Sequence, residues 1–440
     1  MVRKQPPKRR RGAAGERLAQ LDDLKLRIEQ LVAGGEGLGR FEGIPIFVPR
    51  SAPGDLLRVR IVARRPDYGR AEILEILEPG PGRRQPPCPF FERCGGCDLQ
   101  HLEDGVQVEL KARATRETLR RIGGLVLPEE IEVLAAEPWA YRLRTQLHVR
   151  SGDRGAEVGY FARGTHDVVP VNRCPVLVPE LEPVLLRLPR ILRDQQHRRV
   201  DLAAGDDGLW TSAPRIEGLP QGEVSLRVGE FEYAYDARCF FQGHRHLLPQ
   251  LADRAVGEFE GELALELYSG VGLFSLPLAR RYRKVIAIES ERVAARFARN
   301  NARRNKVENL ELAAQSAETW LRENKVRPDR ILVDPPRTGL TRDVCRILRR
   351  SGAERLTYVS CHAATLARDL RLLTSEYALE SLTLIDLFPQ TGHMEAVVQL
   401  VRQSPVDSGT RNPQGSDSPQ TTVWGNFPEK SRTDEKDKPR

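Results

Sequence analysis

No apolar run in this sequence approaches the roughly 20 residues that cross a bilayer. The first dozen residues, "MVRKQPPKRRRG", are basic and lack the apolar stretch of a secretory signal. Both absences point to a cytosolic, cytoplasmic protein with no membrane partner. Cysteine is scarce, at seven in 440 residues. A disulfide framework is therefore not expected, and a reducing compartment makes clustered thiols better suited to metal. No internal repeat is present, so solenoid and propeller architectures are set aside.

What is present is basic charge. Lys and Arg outnumber Asp and Glu to give a net +8, which favours a polyanionic partner. Arg3, Lys4, Lys8, Arg9, Arg10 and Arg11 form an arm that suits either phosphate binding or simple solubility. The length predicts two or three domains. From Leu24 to Glu78, apolar and polar residues alternate between Gly/Pro turns, the pattern of a small five-stranded barrel. A helix is expected over 106–122 and β-rich structure from Ile131 to Phe241, with one helical stretch near Glu180 to Asp194. After Gln242 strand-like and helical runs alternate, which predicts a mostly parallel α/β sheet. Past Arg402 the Ser/Pro/Gln/Asp-rich composition predicts disorder.

The stretch "CPFFERCGGC" places Cys88, Cys94 and Cys97 within ten residues. Disulfide, metal site and redox pair all remain open for it from spacing alone. In "ELYSGVGLFSL", Gly270 and Gly272 lie between a strand and a helix, where bare backbone admits a ligand. Glu289 ends the next strand, about 20 residues on, placed to accept ribose hydroxyls. The turn has neither the full dinucleotide GxGxxG nor the Gly-Lys-Ser/Thr of a triphosphate loop. A nucleoside without phosphates fits, and S-adenosylmethionine is the expected cofactor. Asp334 in "ILVDPPRTGL" ends the fourth strand and faces the same crevice. Arg337 stands where amino-group methyltransferases often carry an aromatic residue, which argues against methylation of an exocyclic amine.

Cys361, in "LTYVSCHAATLARDL", falls where a strand passes into a helix, a position that favours an ionised, attacking thiol. Cys239 and Cys345 read as packed small hydrophobes. Glu395 in "GHMEAVVQL" precedes the last strand. A nucleophilic thiol and a carboxylate together suit methylation at carbon 5 of a pyrimidine. The thiol adds at carbon 6 and the carboxylate removes the carbon-5 proton.

Taken in order, the barrel, "CPFFERCGGCDLQH", "NRCPV", "FFQ", "DPPR", "SC…ATLARDL" and "GHMEAVV" resemble the RNA 5-methyluridine methyltransferases, in particular the bacterial 23S ribosomal RNA uracil-C5 branch. The resemblance runs from Leu24 to Val401. It implies an α/β protein with an N-terminal TRAM/OB-like barrel, a central β-rich iron-sulfur domain and a C-terminal Rossmann-like class I methyltransferase domain. The corresponding boundaries are a basic arm at 1–20, barrel at 21–79, central domain at 80–241, methyltransferase domain at 242–402 and tail at 403–440.

The same resemblance implies that Cys88, Cys94, Cys97 and Cys174 hold a [4Fe-4S] cluster in a structural or RNA-positioning role; structural zinc on four thiolates is the alternative. It further implies that Gln242, Tyr268, Glu289, Asp334 and Ser316 contact the cofactor. Three departures stand out: His362-Ala363 where the family often has Asn-Pro, and the lack of the Asn that relatives commonly show near His244 and often near Leu273. The implied substrate is 23S RNA, and nothing in the sequence demands more than a monomer. Transfer RNA, and a non-catalytic RNA-binding or assembly role, are the competing readings.

Overall fold

A computed structural model describes residues 23–152, 155–193, 195–206 and 208–403. The expected basic arm and all but the first residue of the expected tail lie outside them. Strands β1 (Asp23–Leu31), β2 (Glu36–Phe41), β3 (Ile44–Pro49), β4 (Leu56–Arg64) and β5 (Gly69–Glu78) close into a barrel in the order β1-β2-β3-β5-β4. The alternation in β1 explains its orientation: Leu24, Leu26 and Ile28 are buried while Lys25, Arg27 and Glu29 face out. The inward set, with Ile46, Val48, Leu57, Val59 and Ile61, makes a core of its own. Burying each such side chain contributes about 1.5–3 kcal/mol.

The cysteine-bearing segment follows as an irregular loop, and then α1 (Asp104–Gly123), ended by Gly124 in the left-handed conformation. Next come β6 (Glu132–Leu134), β7 (Arg144–Gly152), β8 (Gly155–Phe161), β9 (Val168–Pro170), α2 (Val184–Ile191), β10 (Arg199–Ala204) and β11 (Trp210–Ala213). All but β6 among these strands form an antiparallel sheet, β11-β10-β7-β8-β9. A hairpin of β12 (Val224–Val228) and β13 (Phe231–Tyr235) leads on to α3 (Leu248–Val256).

The last part alternates β14 (Gly261–Leu267), α4 (Ser275–Leu278), β15 (Tyr282–Ile288), α5 (Arg292–Arg304), β16 (Leu310–Ala313), α6 (Ala317–Glu323), β17 (Arg330–Val333), α7 (Arg342–Arg350), β18 (Arg355–Ser360), α8 (Ala363–Leu373), β19 (Tyr377–Ile385) and β20 (Glu395–Arg402). Its eight-stranded sheet runs β16-β15-β14-β17-β18-β20-β19-β6. Strands covered on both faces read as continuous apolar runs, as in the "ILV" of β17, buried along with Arg330 before it. Two details differ from the sequence expectation. β6 lies within the segment 80–241 yet pairs in parallel with β19, and α1 from the same segment packs on α8. The β12–β13 hairpin also falls before residue 242 yet is fastened to α5 by Asn301 and Asn305. Local periodicity could not announce either long-range pairing.

Candidate active site

The carboxyl ends of β14, β15 and β17 meet at a loop whose backbone is left-handed at Tyr268, Gly270 and Gly272, with φ of 66°, 55° and 94°. Glu289, just past β15, fixes this loop: one carboxylate oxygen accepts the Gly270 N–H at 2.8 Å and the other the Glu291 N–H at 2.7 Å. The second of these oxygens also accepts the Ser290 hydroxyl at 3.4 Å, whereas the one bonded to Gly270 keeps a lone pair for a hydroxyl donor. Glu266 is wholly buried one layer below, bonded to the Ser275 hydroxyl. Burial first, and the nearby Asp334 and Glu289 charges second, push its carboxyl up to about 8. Glu266 Oε1 and Ser269 Oγ are buried without a partner, an arrangement suited to a ligand bearing hydroxyl and ammonium donors. Sequence reasoning passed over Glu266; its signal is an acid inside the otherwise apolar "LALEL".

Two of the expected cofactor residues turn toward α6. Tyr268 lies beside Glu318, and the Ser316 hydroxyl caps that helix by accepting the Thr319 N–H at 3.2 Å. Gln242, by contrast, is buried and donates to Asp334 at 3.2 Å, which joins the turn before α3 to the end of β17. Burial raises the Asp334 carboxyl to about 7.

Cys361 follows β18 and Glu395 opens β20, and these strands are antiparallel with Ser360 opposite Ala396. The register therefore sets the thiol beside the carboxylate. Burial, and then the Glu395 charge, push the Cys361 thiol up to about 12, while Arg337 pulls it down. Glu395 is raised well above the ordinary carboxylate range by burial and by Asp334, with Arg337 again opposing. Arg337 thus serves both groups, a role that sequence spacing could not reveal. The thiol also lies just before the start of α8, whose dipole favours a thiolate. His362 caps α8, its Nδ1 accepting the Thr365 N–H at 3.3 Å. Asn is a preferred cap residue, so imidazole takes over a backbone task here. His393, half-buried near Arg337, is pushed down to about 4, chiefly by burial. His244 is buried and stacks on Tyr141 with ring centroids 4.6 Å apart, and Leu273 is buried as well.

Away from this crevice, Cys88, Cys94, Cys97 and Cys174 line one small cavity with Phe91, Arg142 and Tyr160. Burial pushes the thiols of Cys94 and Cys97 up to about 11 and 12, and raises Cys174 too. The Gly96 N–H donates to Cys94 Sγ at 3.3 Å and the Tyr160 hydroxyl to Cys174 Sγ at 3.8 Å. Among the described residues no three His, Cys, Asp or Glu side chains come together as ligands of one ion. Cys239 and Cys345 are buried elsewhere.

Comparison with known proteins matches residues 222–403 to the family described as tRNA (Uracil-5-)-methyltransferase and residues 24–74 to the TRAM domain. An uncharacterized RNA methyltransferase of Synechocystis sp. is 32% identical, over 86% of this chain and 95% of the relative. The chain belongs to the RNA uracil-C5 methyltransferases. Such a methyltransferase draws its methyl group from S-adenosylmethionine. The 23S rRNA (uracil(1939)-C(5))-methyltransferase RlmD of Pectobacterium atrosepticum, from the same family, is 30% identical over 89% of this chain and 96% of its own. The crystal structure of the Pyrococcus abyssi tRNA (uracil-54, C5)-methyltransferase with S-adenosyl-L-homocysteine superposes with a TM-score of 0.68 at 26% identity, covering 86% of this chain and all of that one.

Proposed function

We propose that this uracil-C5 methyltransferase acts on a uridine of 23S ribosomal RNA, through a covalent bond between Cys361 and carbon 6 of the base. The observation that carries the mechanism is the juxtaposition of Cys361 and Glu395 on neighbouring antiparallel strands, with Arg337 beside both. The relatives named for 23S RNA, similar over nearly their whole length, support the substrate.

Bound S-adenosylmethionine supplies an electrophilic methyl group on sulfonium. Gly270, Gly272 and Glu289 hold its adenosine end, with Gln242, Tyr268 and Asp334 further along; Ser316, engaged as a cap, is the weakest of the contacts first expected. The Cys361 thiolate adds to carbon 6 of an extruded uracil, and the ring electrons move toward carbon 5 and the carbonyl oxygen. The Arg337 cation stabilises both the thiolate and this enolate. Once carbon 5 carries the methyl group, Glu395 takes its proton. The released electron pair restores the ring double bond, and the Cys361–carbon bond breaks to return the thiolate.

The donor set suits a [4Fe-4S] cluster: four thiols line one cavity, with hydrogen-bond donors on two of the sulfurs. A closed single-ion zinc site calls instead for ligands converging on one point. In this reading Cys88, Cys94, Cys97 and Cys174 bind the cluster, which holds the central domain together in the cytoplasm.

The deciding experiment incubates the full-length protein with unmodified 23S RNA, unmodified transfer RNA and methyl-labelled cofactor, then identifies the labelled nucleoside. Label in 5-methyluridine from 23S RNA is the expected result. Label confined to transfer RNA overturns the substrate and favours the reading suggested by the archaeal structure.

A further inference from the structure

The stretch from Asp386 to Met394, which delivers Glu395 to the site, has no helix or strand. Its position comes instead from parts of the chain far away in sequence. Asp386 pairs with Lys111 of α1 at 2.5 Å, both side chains nearly inaccessible to solvent. Lys111 also donates to the Phe388 carbonyl at 3.2 Å, and the Tyr141 hydroxyl to the Pro389 carbonyl at 2.9 Å.

The centre of the stretch is Gln390, fully buried, with a left-handed backbone at φ 67°. A non-glycine residue there costs on the order of 1–3 kcal/mol and persists only where its surroundings enforce it. The enforcing contacts are present. Its N–H donates to Gln107 Oε1 at 3.1 Å and its Oε1 accepts from Gln107 Nε2 at 2.9 Å. Its Nε2 donates to Asp104 at 2.7 Å, and its carbonyl accepts the N–H groups of Asp98 and Leu99 at 2.8 and 3.0 Å.

Two residues on, Gly392 donates its N–H to the Asp98 carboxylate at 3.0 Å, and its carbonyl accepts the Gly34 N–H of the barrel at 3.2 Å. A Cβ on Gly392 would stand 2.2 Å from the Gly34 backbone, so the three segments touch directly. Glu395, in contrast, has a buried carboxylate oxygen, Oε1, with no partner. No contact on that oxygen holds it in place, which leaves more of its aim to the backbone that precedes it.

We infer that Asp98 and Gln390 are positioning residues for Glu395: they fasten its approach segment to the cysteine loop, α1 and the barrel, and so control removal of the carbon-5 proton. This rests on the reading of Glu395 as the base. A base displaced by 1 Å loses about 100-fold in rate. The thiol, carried by β18, is not on this segment, so adduct formation should survive while adduct release slows.

The test uses full-length protein with its iron, 23S RNA and S-adenosylmethionine. Gln390→Ala and Asp98→Ala should release product about 10-fold more slowly or worse, with a Cys361–RNA adduct persisting on denaturing gels, and with cofactor and RNA affinities within about twofold. Asp98→Asn, which keeps an acceptor for Gly392, should recover much of the loss. Gln390→Ala touches no cysteine, so it decides the matter if Asp98→Ala loses iron. Normal release in Gln390→Ala, or loss of adduct together with cofactor affinity, overturns the inference. Glu395→Gln runs in parallel. If it traps adduct while the Asp98 and Gln390 variants release normally, only the positioning role falls; if it traps none, the base assignment falls and the positioning role with it.

Discussion

Ser360 and Ala396 are register partners on antiparallel strands, and the residues beside them, Cys361 and Glu395, are the nucleophile and base of the proposed reaction. One hydrogen-bonded ladder thus fixes the spacing of both groups, which a loop could hold only loosely.

Replacing the thiol separates chemistry from binding. Cys361→Ala should abolish methyl transfer and leave RNA affinity within about twofold of the parent, because binding and bond formation use different groups. Gel-shift titration and a methyl-transfer assay on the same preparation would check this. Residual 5-methyluridine above background would remove Cys361 from the mechanism.

Rate should rise with pH. Burial and the Glu395 charge hold the Cys361 thiol up at about 12, and the reactive form is the thiolate. Below that value each pH unit should raise kcat/KM for RNA about tenfold until another step limits. Arg337 pulls the thiol down, so Arg337→Leu should move the rising limb to higher pH and cost about tenfold or more at neutral pH. A flat profile between pH 6.5 and 8.5 would contradict the assignment.

Anaerobically purified protein should be brown, with about four irons per chain. Cys94→Ser, which removes a sulfur bonded by the Gly96 N–H, should lose both colour and iron. Metal analysis and visible absorbance decide it. One zinc per chain in a colourless protein would replace the cluster by a mononuclear site.

Stability should fall as pH rises from about 6.5 to about 8. Glu266 holds its proton in the folded protein up to about 8, whereas an unfolded glutamate loses it near pH 4.3. The folded state binds the extra proton between those values, so its advantage is full below the lower one and is lost by the upper one. His244 and His393 titrate the opposite way, pushed down to about 3 and 4, and offset this loss only below about pH 6.5. Above that, each such carboxyl costs up to about 1.4 kcal/mol per pH unit. Denaturant unfolding at pH 6.5 and 8 should show the fall, and Glu266→Gln should lessen it.

Much of this was legible in the sequence because it is written in local pattern. The barrel follows from period-two alternation in β1 and its neighbours, and Cys361 from a strand giving way to a helix. Glycine spacing before α4 marks the turn proposed to hold the cofactor. What stayed hidden depends on chain segments that meet only after folding. Arg337 stands out in the sequence only for the aromatic residue it replaces, and its place beside Cys361 and Glu395 shows only in the fold. Gln390 has no sequence signature, since its hydrogen-bond partners lie about 280 residues upstream. Ser316 is expected at the cofactor through the family resemblance alone, and its role as the cap of α6 shows only in the structure.

The pairing of β6 with β19 bears on how the chain comes to be made. Glu132 meets Thr383 on the sheet edge and is held by Arg254 as well, so a strand near the first third of translation waits for one near the end. The ribosome releases the cysteine loop and α1 long before the segment they must clasp exists. Until then their buried polar groups, Lys111 and Gln107 among them, have only water for company. Assembly of the proposed reaction centre is therefore a late event, and fragments ending before residue 395 would carry Cys361 without Glu395.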